Sequence, residues 1–395
     1  MNGEILFLAH RAPYPPDRGD RIRSWNIVKA LFGMAPVHVL ALDDATEGTA
    51  IANSPLASAA ASLSLHPPPA RLAALTRALA SGRPASVEAF RSASLRTAFG
   101  HLLATRPIAA IYAYSGQMAQ YVPPLSGVRF VMDFVDVDSA KFAQYGEAGG
   151  LSGIANRIEA RRLRAFECAT AMRADACLFV SEAEAALFRR RTGIGGDTVR
   201  VLENGVDCRH FSPDFMPGPV DVPGSPLIVF TGQMDYRPNE EAMRGFVRHQ
   251  LPAIRAIHPN ATLAIVGRNP SLETRLLARQ PGVIVTGAVP DTRDWLALAD
   301  LVVAPLSLAR GVQNKVLEAM AMGRAVVASP AAAEGIDAEH GRELVVADGA
   351  GAAIALLQDD ERRAAIGLAA RRRIEARYGW DRQLAVLPAI MGLAP

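Results

Sequence analysis

Short apolar runs alternate with longer stretches of helical spacing from the first residues onward. They fall at 5–9, 37–42, 108–113, 128–133, 176–181 and 199–202, and runs of this length predict strands of a parallel sheet buried on both faces. The rhythm breaks at 207–226, where Pro213, Pro217, Pro219, Pro223 and Pro226 crowd together. That composition predicts a linker. Alternation resumes at 227–231, 262–266, 283–286, 301–304, 325–328 and 344–347, so a second sheet of the same kind is expected. The chain is predicted to be α/β, with one Rossmann-like doubly wound domain over 1–206 and another over 227–379. A last helix over 380–391 is expected to cross back, so that 380–395 completes the first domain. Such sheets bind ligands at the carboxyl ends of their strands, here expected to face a cleft. This singles out His10 and Asp133 in the first half and Gly232, Gly267, Gly287 and Pro305 in the second.

Composition refines this picture. A chain of 395 residues exceeds what one core organises, and its 50% apolar and 21% charged content excludes long disorder. The net charge of +3 comes from arginine, since lysine occurs only at Lys29, Lys141 and Lys315. Mild basicity suits phosphate-bearing ligands or an anionic membrane and gives no indication of nucleic acid. Cys168, Cys177 and Cys208 lack metal-binding spacing and read as buried thiols. The opening residues show no signal-peptide pattern and no apolar run is long enough to span a bilayer, so the expected location is the cytoplasm or the inner face of the plasma membrane. Arg157, Arg161 and Arg164 share one helical face, with Ile158, Ala165, Phe166 and Ala169 roughly opposite. That pattern fits either a solvated helix or one resting on anionic lipid.

The chemistry concentrates after the run at 301–304. A helix is expected over 312–322, closed by Gly323 in the C′ position, and its N-terminus offers unpaired N–H groups and a positive dipole end to a diphosphate. Gly311 permits close approach, and Arg310 adds a cation. Lys315 and Glu318 stand three apart on one face, where lysine can reach a phosphate oxygen and glutamate can accept from a ribose diol. The spacing alone fits an ordinary surface Lys–Glu pair better.

The run from Lys315 to Ser329 resembles the donor helix and following strand of family 4 glycosyltransferases, retaining and metal-independent enzymes of the double-Rossmann GT-B type. Glu203-Asn204-Gly205-Val206-Asp207, Phe230-Thr231-Gly232, Ile265-Val266-Gly267 and Thr286-Gly287-Ala288-Val289 resemble the same family in the same order. The resemblance implies that Glu318 binds the donor ribose, that Val289 lies at the nucleobase, and that Gly232 belongs to the donor site. Gly19, in Asp17-Arg18-Gly19-Asp20-Arg21, is similar to the glycine loop that admits the diphosphate; it also reads as a plain turn glycine, with Asp20 capping a helix from Arg21. The segments 10–16, 133–139 and 311–315 together resemble a narrower branch, the sugar transferases of exosortase/PEP-CTERM exopolysaccharide loci.

This chain departs from the family pattern in three places. Arg310 stands where a second glutamate is usual near the sugar hydroxyls, and Gln233 and Asn239 stand near the usual Arg and Lys, which leaves Arg237, Arg310 and Lys315 to supply phosphate charge. Asp133 and Asp136 occupy positions of polar residues beside the sugar or acceptor, where a histidine is frequent; both also fit loop caps. His10 is an acceptor-side candidate, although a lone histidine is more often structural. Asp136-Val137-Asp138 spells D-x-D, a metal motif of the other large glycosyltransferase architecture, but the donor signature in the second half argues against it, and neither metal nor cofactor is expected.

The implied activity is transfer of a hexose from a nucleoside diphosphate sugar, UDP-linked, to a polyprenyl-linked exopolysaccharide glycan with retention, Lys315, Arg310 and Asp133 being the catalytic candidates. Two alternatives share the fold, a UDP-sugar 2-epimerase and a non-catalytic nucleotide-sugar-binding subunit.

Overall fold

The computed structural model describes residues 3–43, 51, 53–309 and 312–392. The chain forms two compact units, Met1–Glu203 with Leu384–Pro395, and Asn204–Gln383. The first holds β1 (Glu4–Ala9), β2 (Val37–Leu42), β3 (Ser62–His66), β4 (Ile108–Tyr114), β5 (Arg129–Val135), β6 (Ala176–Phe179) and β7 (Val199–Val201), in the order β3-β2-β1-β4-β5-β6-β7. The second holds β8 (Leu227–Thr231), β9 (Thr262–Val266), β10 (Val283–Gly287), β11 (Leu301–Ala304), β12 (Val326–Ala328) and β13 (Val345–Val346), in the order β10-β9-β8-β11-β12-β13. All the strand pairs are parallel, with registers such as Ile5↔Val37, Leu227↔Thr262 and Val302↔Val229. These are two Rossmann-like sheets, the GT-B fold class.

β1, β2, β8, β9 and β11 are buried along nearly their whole length, the consequence of apolar runs covered on both faces. β3 was not expected as a strand. It is an edge strand, Ser62-Leu63-Ser64-Leu65-His66, whose polar and apolar residues alternate and stay mostly half-buried. In both sheets the order reverses beside the first strand, between β1 and β4 and between β8 and β11. At such a switch point loops diverge and a crevice opens at the carboxyl ends.

Two further expectations are revised. The segment 207–226 contains no helix or strand, yet it is not detached, because Phe211, Phe215, Val220 and Val222 pack on the second core. The terminal segment is no single helix. It breaks into Trp380–Gln383, a 3-10 turn at Leu384–Val386, and Leu387–Ile390. Its last residues lie against the first unit, where the Arg129 guanidinium donates to the Ile390 carbonyl at 2.6 Å. Only Cys177 of the three free thiols is fully buried, and burial pushes it up to about 12.

Candidate functional site

In the second unit the helix Asn314–Ala321 follows β11, starting two residues later than expected and ending one earlier, with Met322 as its C-cap and Gly323 at a φ of 67°. Val316, Leu317 and Met320 are buried under it, each contributing about 1.5–3 kcal/mol. Its far end is clamped. Arg371 donates to the Ala321 carbonyl at 2.7 Å and to the Phe211 and Cys208 carbonyls, and a Cβ on Gly367 would come within 2.1 Å of the Gly323 oxygen. This anchoring leaves the first turn, whose N–H groups have no intrahelical acceptors, fixed at the carboxyl end of the sheet.

Glycines at the ends of β8 and β9 shape what that turn meets. The Gly232 amide donates to the Val266 carbonyl at 3.0 Å, and a Cβ on Gly267 would lie 1.7 Å from the Gly232 oxygen. A Cβ on Gly232 would lie 2.8 Å from the Asn239 amide nitrogen and 3.1 Å from Lys315 Nζ. The space thus kept open holds the lysine ammonium. Lys315 Nζ donates to Asn239 Oδ1 and sits 4.5 Å above the Phe230 ring; Asn239, itself buried, donates to the Gln233 carbonyl at 2.8 Å. Asn239 and the Phe230 ring are therefore parts of the site for which motif reading named no role. Asn239 was noted only as a missing cation.

Glu318 makes no ion pair with Lys315 among the described residues. No described group hydrogen-bonds its carboxylate, although the side chain is partly exposed. Burial pushes Glu318 up to about 7, with the Lys315 charge opposing. Burial likewise brings Lys315 down to about 7, with the Glu318 charge opposing. Two further polar atoms, Thr231 Oγ1 and Asn314 Oδ1, are buried without a hydrogen-bond partner among the described residues. The group is thus one cation and several acceptors awaiting donors.

The other donor candidates lie apart from this cluster or outside it. Arg310 and Gly311 fall outside the described residues. Arg237 is exposed and pairs along its own helix with Glu241 at 2.7 Å. Val289 is half-buried against the second core.

In the first unit, Gly19 opens the helix Gly19–Phe32, and a Cβ there would meet nothing within 4 Å. Asp20 does not cap that helix; Arg18 occupies the cap position. Asp20 instead gathers His10 Nε2 at 3.3 Å, Arg11 at 2.8 Å and Arg18 at 3.0 Å. Burial would raise its carboxyl, but the His10 bond and charge and the Arg18 and Arg11 charges hold it far below the usual range. The His10 ring stacks on Tyr114 at 5.7 Å, and its Nδ1 is buried without a partner among the described residues.

The structure departs most from expectation at Asp133. β5 runs two residues further than its apolar pattern suggests, so Asp133 lies inside the strand rather than at its end. It is 0% exposed, pairs with Arg23 through Nε at 3.0 Å and Nη2 at 3.2 Å, and accepts from the Tyr112 hydroxyl at 2.7 Å and the Val135 amide at 3.1 Å. A carboxylate engaged on both oxygens has no face left for substrate; its role is architectural. Beyond it the chain is strained. Val135, a β-branched residue, has a φ of 69°, and Ser115 at the end of β4 has a φ of 74°, conformations that cost about 1–3 kcal/mol each. Asp136 and Asp138 share Lys141 at 2.7 and 3.3 Å, and no cluster of His, Cys, Asp or Glu able to hold a metal occurs among the described residues.

Residues 225–359 match the family described as Glycosyl transferases group 1. Solved structures similar to the whole chain include HepE of Anabaena in complex with UDP and glucose (TM-score 0.68, 14% identity, 100% of both chains). Sucrose-phosphate synthase of Thermosynechococcus elongatus is similar over 98% of both chains (TM-score 0.68, 17% identity). WaaG, a glycosyltransferase involved in lipopolysaccharide biosynthesis, is similar over 98% of this chain and 100% of its own (TM-score 0.64, 16% identity). No curated protein matches the chain by sequence.

Proposed function

We propose, from a second unit that carries a group 1 glycosyl transferase domain within a GT-B fold, that this chain transfers a hexose from a UDP-linked sugar to a hydroxyl of a lipid-linked glycan with retention. The setting, as the PEP-CTERM resemblance implies, is exopolysaccharide assembly in the cytoplasm at the membrane face. One observation carries the donor half. Glu318, a carboxylate with unused acceptors, lies on the same clamped helix as Lys315, whose ammonium is held at the end of β8, where doubly wound sheets bind nucleotides. HepE has been crystallised with UDP and with UDP-glucose, which supports a uridine nucleotide here.

In this reading the ribose diol donates to Glu318, and Lys315 with the first-turn amides stabilises charge developing on the leaving diphosphate. That oxygen takes the acceptor proton, so no protein nucleophile, metal or cofactor is needed. Arg310 and Gly311, outside the described residues, keep the phosphate role assigned to them from the sequence. Gly232 and Val289 give room to the donor in the second unit, while Gly19, His10 and Asp136 of the first unit keep the donor and acceptor roles that the sequence implies. Asp133, engaged on both oxygens, has no part in this reading, while Arg237 keeps its place as a source of phosphate charge, its exposed pair with Glu241 being weak.

The test is calorimetric titration with nucleoside diphosphates and their sugars. UDP-sugar binding weakened ten- to hundredfold by Glu318→Gln, the effect of about 1.5–3 kcal/mol for a charged hydrogen bond, supports the reading. Equal affinity of both proteins would sink it. Incubation with UDP-sugar alone separates an epimerase, which would yield a new UDP-sugar, from a transferase.

A further inference from the structure

The helix Gly150–Ala171 presents a surface that the donor chemistry does not use. Large apolar residues stand in solvent along it: Leu151 is 87% exposed, Ile154 48%, Ile158 41%, and Met172, just past its end, 82%. With Ala165 and Ala169, also exposed, they recur at intervals of three, four and seven residues. That spacing lines them up on a single stripe. Isolated exposed apolar residues are ordinary, but a contiguous stripe marks a contact surface.

The charges around the stripe identify what it contacts. The helix contains two carboxylates, and both point inward. Glu159 accepts from the Ala85 and Ser86 amides at 2.9 and 2.8 Å, and Glu167 accepts from the Ser139 amide at 2.9 Å. Its arginines remain outside. Arg161 and Arg164 are exposed and make no ion pair among the described residues, while Arg157 spends one nitrogen on the Gly146 carbonyl. By helical spacing these three flank one side of the stripe and Arg162 the other. Ile158, Ala165 and Ala169 therefore do not lie opposite the arginines, as the sequence pattern suggested; of that set Phe166 turns toward the core. The nearest exposed carboxylates along the chain lie at the two ends of the stripe, Glu147 in the preceding turn and Asp175 just past Met172, where it accepts from the Phe130 amide at 2.7 Å.

We propose that this stripe seats the first unit on an anionic bilayer, Leu151, Ile154, Ile158 and Met172 entering the interfacial region while the arginines meet lipid phosphates. A second copy of the chain fits poorly, because antiparallel or parallel pairing of two such helices would bring arginine rows together without carboxylates to receive them. The proposal deepens the transferase reading by giving the surface on which a lipid-borne acceptor is met, but it is tested without sugar transfer.

Co-sedimentation of the full chain would use vesicles of phosphatidylcholine alone and with one third phosphatidylglycerol. Binding should require the anionic lipid and fall as salt rises. Each arginine near an anionic surface is worth roughly fivefold in partitioning, so Arg161→Gln/Arg164→Gln should weaken binding roughly 25-fold. Leu151→Ser/Ile154→Ser/Ile158→Ser should abolish it. All these residues are exposed, and unchanged melting temperature and nucleotide affinity would show that the variants fold. Absence of binding to anionic vesicles, or binding indifferent to both variants, overturns the proposal. So does concentration-dependent self-association that the serine variant alone removes. Vesicle failure with intact UDP-sugar binding would leave the donor reading standing.

Discussion

Donor binding should change sign in its proton traffic near neutrality. In the empty site burial holds Lys315 down to about 7 and Glu318 up to about 7. A bound diphosphate restores the ammonium, and a bound ribose diol favours the carboxylate. Above pH 7 the lysine must therefore gain a proton on binding, and below pH 7 the glutamate must lose one. At pH 8 the expected net uptake is about 0.8 proton per UDP-sugar bound, at pH 6 a release of about the same, and at pH 7 close to none. If only the ammonium receives the diphosphate and only the carboxylate the ribose, affinity falls about 25-fold from pH 7 to pH 9, the loss of protonated lysine outweighing the gain of ionised glutamate. Calorimetry at each pH in buffers of different ionisation enthalpy counts the protons directly. A UDP-sugar is the right ligand, since a terminal phosphate titrates itself at about 6. Asn239→Asp supplies a carboxylate where Lys315 now meets a neutral amide; it should raise the lysine and move the alkaline loss of affinity upward. Flat affinity between pH 7 and 9 with no uptake at pH 8 would refute the arrangement.

Three further outcomes concern the framework. Asp133→Asn should destabilise the first unit by about 3–5 kcal/mol in urea denaturation, because it strands Arg23 without a counter-charge, whereas Arg23→Met/Asp133→Leu should cost less than the two single changes combined. Gly267→Ala should lower the melting temperature and weaken nucleotide binding together, as its Cβ would drive the β8 and β9 ends apart; loss of neither would contradict the close approach. Burial pushes Glu167 up to about 7, with the Ser139 bonds opposing. A raised carboxyl gives stability present below its unfolded value of 4.5 and lost as pH rises through 7. Glu167→Gln should then stabilise the protein at pH 8.5 by about 3 kcal/mol and have little effect at pH 4.5, read by denaturation at the two pH values.

The apolar runs exposed most of the sheets because a strand covered on both faces must be apolar throughout, as β1 and β8 are. β3 escaped for the opposite reason. An edge strand with alternating Ser and Leu carries a weaker signal, and only its pairing with β2 at Val39↔Leu63 makes it a strand. Asp133 was misread because hydrophobicity ends where a charge begins, while the backbone pairing continues. What permits that charge inside a sheet is Arg23, 110 residues away, and no local pattern announces a partner at that distance. The same limit governed the donor cluster, whose helix and glycines were visible as motifs while the path of the lysine was not.

That path changes how the altered motif is understood. Spacing along one helical face suggested a lysine lying beside Glu318. The side chain instead runs back to the end of β8, where Gly232 makes room and Asn239 receives its ammonium. Asn239 stands near a position where the resembling family carries a cation, and two cations there would repel in a partly buried space. With a neutral amide in that place, Lys315 brings the charge to the strand end from the other side. Because a lysine desolvated to about 7 carries only part of its charge when the site is empty, the site limits the cost of burying an unpaired ammonium and recovers the full charge when a diphosphate arrives. In the proposed reading, a substitution that looked like the loss of a phosphate ligand is thereby a relocation of it. The clamp of Arg371 and Gly367 on the far end of the helix is what keeps the relocated charge in register.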